Sequence, residues 1–132
     1  VAQKGSDEFY VLNQGGGVIR LEFSASVFAE WDLGASVLDS YNWAHYTITY
    51  GASSKRVRLY RNGFEIEATA PRIVTKQYNG RGDFYIGSPT VPARRSVQGV
   101  MLDDVLVFSS VLNDEQVAQA MVGQFSELTA DR

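Results

Sequence analysis

Hydrophobic and polar residues alternate along most of the chain with a period of two. Between positions 18 and 23, for example, Arg20 and Glu22 alternate with Ile19, Leu21 and Phe23. This alternation is typical of a strand with one buried face, because successive side chains point to opposite sides of a sheet. The pattern predicts strands over residues 9–12, 18–23, 27–31, 43–50, 56–61, 64–68, 84–87 and 97–108.

The clearest local signal is the dipeptide Asn62-Gly63, which separates two alternating runs. A two-residue type I′ turn needs positive φ at both central residues, and Asn-Gly satisfies that need better than other pairs. The sequence therefore predicts a β-hairpin over 56–68. Its apolar residues are expected on one face, and its arginines and glutamates on the other.

One helix is predicted near the C-terminus. Asn113 and Gln116 have the spacing of a capping box, and Leu112 and Val117 stand at the two positions of a hydrophobic staple. Gly123 is suited to end the helix. Many short strands followed by one short helix predict an all-β fold, either a sandwich or a barrel. We expect this domain to occupy residues 1–125 and to be followed by a polar tail at 126–132.

Composition narrows the range of functions. The 132 residues suffice for one domain, and an apolar fraction of 45% excludes an intrinsically disordered chain. There is no cysteine, so disulfides and thiolate metal sites are excluded, and a single histidine argues against a zinc site or a Ser-His-Asp triad. A net charge of −3 argues against a nucleic-acid partner. No apolar run has the length needed for insertion into a membrane.

An ordered series of motifs resembles a known family. It consists of WAHYTITY at 43–50, VRLYRNG at 57–63, FYIG at 84–87, and DDVLVF at 103–108 followed by LNDE at 112–115. This series, over residues 43–122, resembles the laminin-G-like jelly-roll domains of the concanavalin A-like lectin/glucanase superfamily. The resemblance implies an antiparallel β-sandwich, or jelly roll, with one short C-terminal helix. It also implies a non-catalytic recognition module that binds a glycan or a protein partner, and an extracellular or cell-surface location.

The resemblance leaves one feature of the fold open. Family members carry several dozen residues of strands before the segment that corresponds to Phe9, and these are missing here. Either the sequence is a piece of a longer protein, or another chain supplies those strands, or the sandwich is trimmed. An exposed sheet edge would follow. The alternative function is therefore a structural assembly module that contributes sheet-edge contacts to a larger complex.

A hydrolase is disfavoured by one position. Glucanases of the superfamily carry a Glu-x-Asp-x-x-Glu pattern on one strand, because a retaining glycosidase needs two carboxylates close together. Glu30-Trp31-Asp32 begins this pattern, but Ala35 stands where the second glutamate is required. We therefore expect no catalytic residues.

Two aspartates are the candidate metal ligands. Asp103 and Asp104 lie inside the apolar run 97–108, where alternation is expected to direct one of them to each face. A buried carboxylate needs a partner, which is a Ca²⁺ ion, an arginine or a set of backbone N–H groups. The resemblance makes Ca²⁺ the one cofactor to consider, while a hydrogen-bonded structural aspartate is the simpler alternative.

Candidate glycan-binding residues are aromatic residues in loop-like stretches, with amides beside them: Tyr41, Asn42, Tyr78 and Asn79. Trp43 is expected to be buried, because it stands at the start of a predicted strand. A second candidate surface consists of Arg56, Arg58 and Arg61, because guanidinium groups bind sulfate and carboxylate. The alternative for these arginines is a solvated strand face paired with glutamates across the hairpin.

Overall fold

The computed structural model describes residues 10–24, 27–34, 42–69 and 102–124. These ranges contain two three-stranded antiparallel sheets, which we call sheet 1 and sheet 2, and one helix. Sheet 1 has the order β1-β2-β3 and sheet 2 the order β4-β5-β6. The elements are β1 (Tyr10–Gly15), β2 (Val18–Ser24), β3 (Val27–Asp32), β4 (Tyr46–Gly51), β5 (Arg56–Arg61), β6 (Phe64–Ile66) and α1 (Asp114–Met121).

The main core lies between the two sheets. Ile19 pairs with Trp31 across β2 and β3, and Leu21 pairs with Ala29, so these side chains share one face of sheet 1. That face packs on apolar side chains of sheet 2. The buried members of the cluster are Ile19, Leu21, Ala29, Trp31, Val57 and Leu59. The period-two pattern of the sequence thus identified the buried face of β2 and β5 correctly.

A second core cluster covers the opposite face of sheet 2. Tyr60 follows Leu59 in β5 and therefore points away from sheet 1. It packs against Leu112 together with Val117 and Ala120 of α1. Sheet 2 is consequently covered on both faces, by sheet 1 and by the helix. Together the two sheets and the helix confirm the predicted antiparallel β-sandwich with one short C-terminal helix.

The predicted hairpin is present. Asn62 has a φ of 50° and Gly63 a φ of 83°, as a type I′ turn requires, and Arg61 pairs with Phe64 on either side of them. The prediction of the apolar face was only partly right. Ile66 packs on the core, but Phe64 is exposed.

Both ends of α1 form as the sequence predicts. The Asn113 side chain accepts from the Gln116 N–H at 2.9 Å, and the Asn113 N–H donates to the Gln116 side chain at 2.9 Å. At the other end Gly123 has a φ of 79°, its N–H donates to the Ala120 carbonyl, and the next N–H donates to the Gln119 carbonyl. These two bonds are those of a Schellman motif, and they satisfy carbonyls that the helix leaves without partners.

The prediction of a strand over 97–108 is wrong for the residues that the structure describes. Residues 102–108 carry no strand. Asp104 has a φ of 49°, which an extended strand does not permit, and its N–H donates to the Asp103 side chain at 2.9 Å. This local bond competes with the ladder hydrogen bonds that an aspartate pair would have to form in a strand.

The predicted strand at 43–50 begins three residues later, at Tyr46. The predicted strand at 84–87 and the predicted tail at 126–132 lie outside the described residues. The boundary at residue 125 lies outside them as well.

Candidate functional site

Three side chains of sheet 2 form a row across its strands. Tyr46 of β4 pairs with Arg61 of β5, and Arg61 pairs with Phe64 of β6. Directly paired residues of an antiparallel sheet point to the same face, with Cβ atoms about 5 Å apart. We call Tyr46, Arg61 and Phe64 the aromatic row. Its two rings flank a guanidinium group.

The aromatic row lies at the margin of the sandwich. The next row inward consists of Ile48, Leu59 and Ile66, which pack in the core between the sheets. The aromatic row is on the same face, but Phe64 is 78% exposed and Tyr46 36% exposed. Sheet 1 therefore covers the inner row and leaves the outer row open to solvent. A ligand can reach both rings without displacing any core residue.

The polar groups of the row are held in place. Arg61 Nε donates to the Tyr46 hydroxyl at 3.3 Å. This bond leaves the two terminal nitrogens of the guanidinium group and the hydroxyl proton of Tyr46 as donors toward a ligand. The combination of flat aromatic faces with fixed donors is suited to sugars, which have apolar ring faces and hydroxyl edges.

Two more candidate binding residues, Asn42 and Trp43, lie in the segment that precedes β4. The His45 N–H donates to the Asn62 side chain at 2.9 Å, and the Asn62 N–H donates to the His45 carbonyl at 2.8 Å. These bonds hold the chain before β4 beside the hairpin turn. Asn42 is exposed, and Trp43 is 64% exposed rather than buried as predicted. Trp43 precedes β4, so no residue of the described strands pairs with it.

The three predicted arginines are not brought together. Arg56 and Arg58 lie on the face of β5 that bears Tyr60, whereas Arg61 lies on the opposite face with the aromatic row. Both Arg56 and Arg58 pair with Glu65 across the hairpin, at 3.7 Å and 3.8 Å. Pairing with glutamates across the hairpin is the predicted alternative to a binding role. Arg56 and Arg58 follow this alternative.

A polar network ties α1 to sheet 2 on the same face. The buried Tyr60 hydroxyl donates to Asp114 Oδ1 at 2.7 Å, and a terminal nitrogen of Arg58 lies 3.4 Å from the same oxygen. Burial raises the pKa of the Tyr60 hydroxyl, and the hydrogen bond to Tyr60 raises the pKa of the Arg58 guanidinium group. The network anchors the first turn of the helix and leaves Arg58 engaged within the protein.

Comparison with protein families supplies the decisive observation. Residues 1–118 match a laminin G family that is described as belonging to the concanavalin A-like lectin/glucanases superfamily. The chain belongs to this family. Comparisons with curated proteins and with solved structures yielded no match. The family match covers more of the chain than the motifs at 43–122 that first indicated the resemblance.

Domains of the laminin G type are commonly binding modules and are generally non-catalytic, although the superfamily also includes glucanases. They are typically extracellular. Within the ranges that the structure describes, no helix has the length and apolar character needed to cross a bilayer. Family membership therefore favours recognition as the role of the domain and leaves its ligand to be inferred from the site.

The acidic residues that resemble the glucanase pattern are arranged as in an ordinary strand. Trp31 is buried in the core, so Glu30 and Asp32 lie on the outer face of sheet 1. Asp32 accepts a hydrogen bond from the Gly34 N–H at 2.9 Å, which closes the turn after β3. Ala35 lies outside the described residues.

The aspartates proposed as metal ligands are both exposed. The expectation that one of them is buried was therefore wrong, because residues 102–108 do not form the strand that would direct them to opposite faces. Nowhere in the described ranges do three or more His, Asp or Glu side chains gather to hold a metal ion. A calcium site at Asp103 and Asp104 stays a prediction.

Three further candidates, Tyr41, Tyr78 and Asn79, lie outside the described residues, and their role in binding stays a prediction as well. The sequence did not single out Tyr46 and Phe64. The Asn-Gly turn fixes the pairing of Arg61 with Phe64 and could have indicated this part of the row. Their exposure could not be read from the sequence, because it depends on where sheet 1 ends.

Proposed function

We propose that this laminin G-type domain is a non-catalytic module that binds a glycan on the aromatic row. The observation that carries the proposal is the in-register row of Tyr46, Arg61 and Phe64, with both rings exposed at the margin of the sandwich. The parent protein is extracellular or on the cell surface, as is typical of this domain type. Its partner is a polysaccharide or the glycan of a glycoprotein.

The dimensions of the row support an extended ligand. Adjacent strands are about 4.8 Å apart, so Tyr46 and Phe64 lie roughly 10 Å apart across β5. This distance exceeds the width of one sugar ring, so the two aromatic residues would contact different rings of one chain. The hydroxyl of Tyr46 and the guanidinium group of Arg61 would donate to the oxygens between them. An oligosaccharide is therefore a better ligand than a monosaccharide.

A glycan array comparing the wild type with Phe64→Ala tests the proposal. Phe64 is 78% exposed, so its truncation leaves the fold intact and affects binding directly. Val111→Ala is the matched control, because Val111 is exposed and immediately precedes Leu112, which packs on the opposite face of sheet 2. We expect the wild type and Val111→Ala to retain the same glycans and Phe64→Ala to lose them. Equal retention by all three proteins would refute the proposed site.

The non-catalytic part of the proposal has its own measurement. A glycan retained on the array is incubated with the protein overnight and then analysed by mass spectrometry. We expect it to be recovered intact. Recovery of shorter products would show hydrolysis, and Glu30 and Asp32 would then be the first residues to substitute.

A second candidate function, an assembly module, is favoured by one other surface. The segment before α1 exposes several apolar side chains, namely Leu102, Val105, Leu106 and Val107. A contiguous set of exposed apolar side chains is a mark of a protein–protein interface. Sedimentation of the chain across a hundredfold range of concentration tests this candidate. Association that Val107→Asp abolishes would support it, and a monomer at every concentration would refute it.

A further inference from the structure

Arg61 differs from the other arginines in the described part of the chain. Arg20 lies 3.5 Å from Glu22, and Arg56 lies 3.7 Å from Glu65. Arg58 contacts both Glu65 and Asp114. Arg61 has no carboxylate within ion-pair distance among the described residues, and its one hydrogen bond there goes from Nε to the neutral Tyr46 hydroxyl. Its positive charge is therefore available to a ligand.

The orientation of the guanidinium group suits a carboxylate. Arg61 uses Nε for the bond to Tyr46, so its terminal nitrogens remain as a planar fork. Such a fork binds a carboxylate through two parallel hydrogen bonds, and these charge-assisted bonds are about twice as strong as neutral ones. The Tyr46 hydroxyl next to it can donate a further hydrogen bond. The two terminal nitrogens of Arg61 and the Tyr46 hydroxyl are thus three groups that can donate hydrogen bonds to a ligand.

The flanking rings narrow the class of anion. A carboxylate bound at Arg61 lies between Tyr46 and Phe64, which both pair with Arg61 from the two neighbouring strands. The rest of the ligand must therefore present flat apolar faces to both rings. A uronic acid oligomer does so, since each unit has an apolar ring face and a carboxylate at its edge. An acidic peptide offers carboxylates without such faces.

We propose that the aromatic row selects uronic acid polysaccharides, with a sugar carboxylate on Arg61 and neighbouring rings on Tyr46 and Phe64. This inference rests on the proposed glycan-binding function and adds the chemical class of the ligand. Arg61 is the residue that determines specificity, and the two aromatic residues supply affinity for sugar rings whether or not they are charged.

Calorimetric titration with matched ligands tests the proposal. The ligands are tetrasaccharides of galacturonic acid, mannuronic acid and hyaluronan, each with its carboxyl-reduced neutral counterpart. We expect the wild type to bind at least one charged form about tenfold more tightly than its neutral counterpart, which is the contribution of one charge-assisted hydrogen bond. Added salt should weaken binding of the charged form and leave the neutral form unchanged.

Three arginine variants assign the effect to one residue. Arg61→Gln should bind the charged and neutral forms equally, and Arg61→Lys should keep only part of the preference because it keeps the charge but loses the fork. Arg56→Gln is the control, since Arg56 is paired with Glu65 on the other face of sheet 2. The proposal is overturned if the wild type shows no preference, or if Arg56→Gln removes the preference as fully as Arg61→Gln does.

The same titrations separate this inference from the proposed function. Equal binding of charged and neutral forms, lost in Phe64→Ala, would overturn the uronic acid preference and retain glycan binding. Absence of binding to every sugar, together with binding of polyglutamate that Arg61→Gln abolishes, would overturn both and indicate an acidic protein partner.

Discussion

The hydroxyl of Tyr60 donates a 2.7 Å hydrogen bond to the carboxylate of Asp114, joining the middle strand of sheet 2 to the first turn of α1. The two residues are 54 positions apart in the chain. Tyr60 is buried, with 1% of its surface exposed. This bond and the apolar contacts of the same ring attach the helix to the sandwich.

Replacing Tyr60 with phenylalanine should lower the free energy of unfolding by about 1–2 kcal/mol, because a hydrogen bond to a charged group is lost while the ring still fills its space. Chemical denaturation at pH 7 measures the change. Tyr46→Phe is the matched control, since that hydroxyl is on the exposed row, and it should change stability by less than about 0.5 kcal/mol. Equal effects of the two substitutions would contradict the anchoring role of Tyr60.

Alkaline pH should weaken the fold through the same residue. Burial raises the pKa of Tyr60 in the folded state above the value of about 10 for an unfolded tyrosine. The contribution is therefore complete below pH 10 and is lost as pH rises through the folded-state pKa, because the unfolded chain releases its proton first. In that window the wild type should lose up to about 1.4 kcal/mol per pH unit more than Tyr60→Phe. Parallel stability profiles of the two proteins between pH 9 and 11 would show that Tyr60 does not titrate differently on folding.

The main core can be tested with two identical substitutions. Leu59 is fully buried between the sheets, whereas Leu102 is 62% exposed. Leu59→Ala should cost about 2–5 kcal/mol, because it removes buried surface and leaves a cavity. Leu102→Ala should change stability by less than about 0.5 kcal/mol. A comparable loss in both variants, measured by thermal unfolding, would mean that the segment before α1 is packed in solution.

The helix cap gives a further prediction. Asn113→Ala removes the bond that the Asn113 side chain accepts from the Gln116 N–H, although the backbone N–H of residue 113 can still donate to Gln116, and should cost about 1 kcal/mol. Ser110→Ala, at an exposed position before the helix, is the control and should be neutral. Denaturant titration followed by circular dichroism measures both. If Asn113→Ala unfolds at the same denaturant concentration as the wild type, the capping box does not contribute to stability.

Local signals in the sequence predicted much of the fold. The Asn62-Gly63 turn, the capping box of Asn113 and Gln116, and the alternation over β2 and β5 each depend on residues that are neighbours in the chain. The interactions behind these signals involve residues only a few positions apart, and the structure confirms all three predictions. The strand predicted through Asp103 and Asp104 is absent for a local reason too. The Asp103 side chain accepts a hydrogen bond from the Asp104 N–H, and the backbone of Asp104 has a positive φ.

The site was harder to predict from the sequence, because it depends on packing between residues that are far apart in the chain. Arg58 and Arg61 look alike in the sequence, but Arg58 contacts Glu65 and also Asp114, which is 56 positions away, whereas Arg61 contacts no carboxylate among the described residues. Phe64 fits the apolar alternation of its strand, yet it is exposed because sheet 1 ends before it. Trp43 is exposed because the ladder of sheet 2 begins after it. None of these outcomes follows from the residues next to these positions.

The most direct test of the account is a nuclear magnetic resonance titration of the ¹⁵N-labelled domain with the uronic acid tetrasaccharides. It reports on the backbone amides of the aromatic row and on the Arg61 Nε–H, which Arg61→Lys assigns. We predict that the largest shifts occur at Tyr46, Arg61 and Phe64, with none at Arg56 or Asp114. Shifts confined to residues 102–111, or no shifts at all, would contradict a glycan site on the aromatic row.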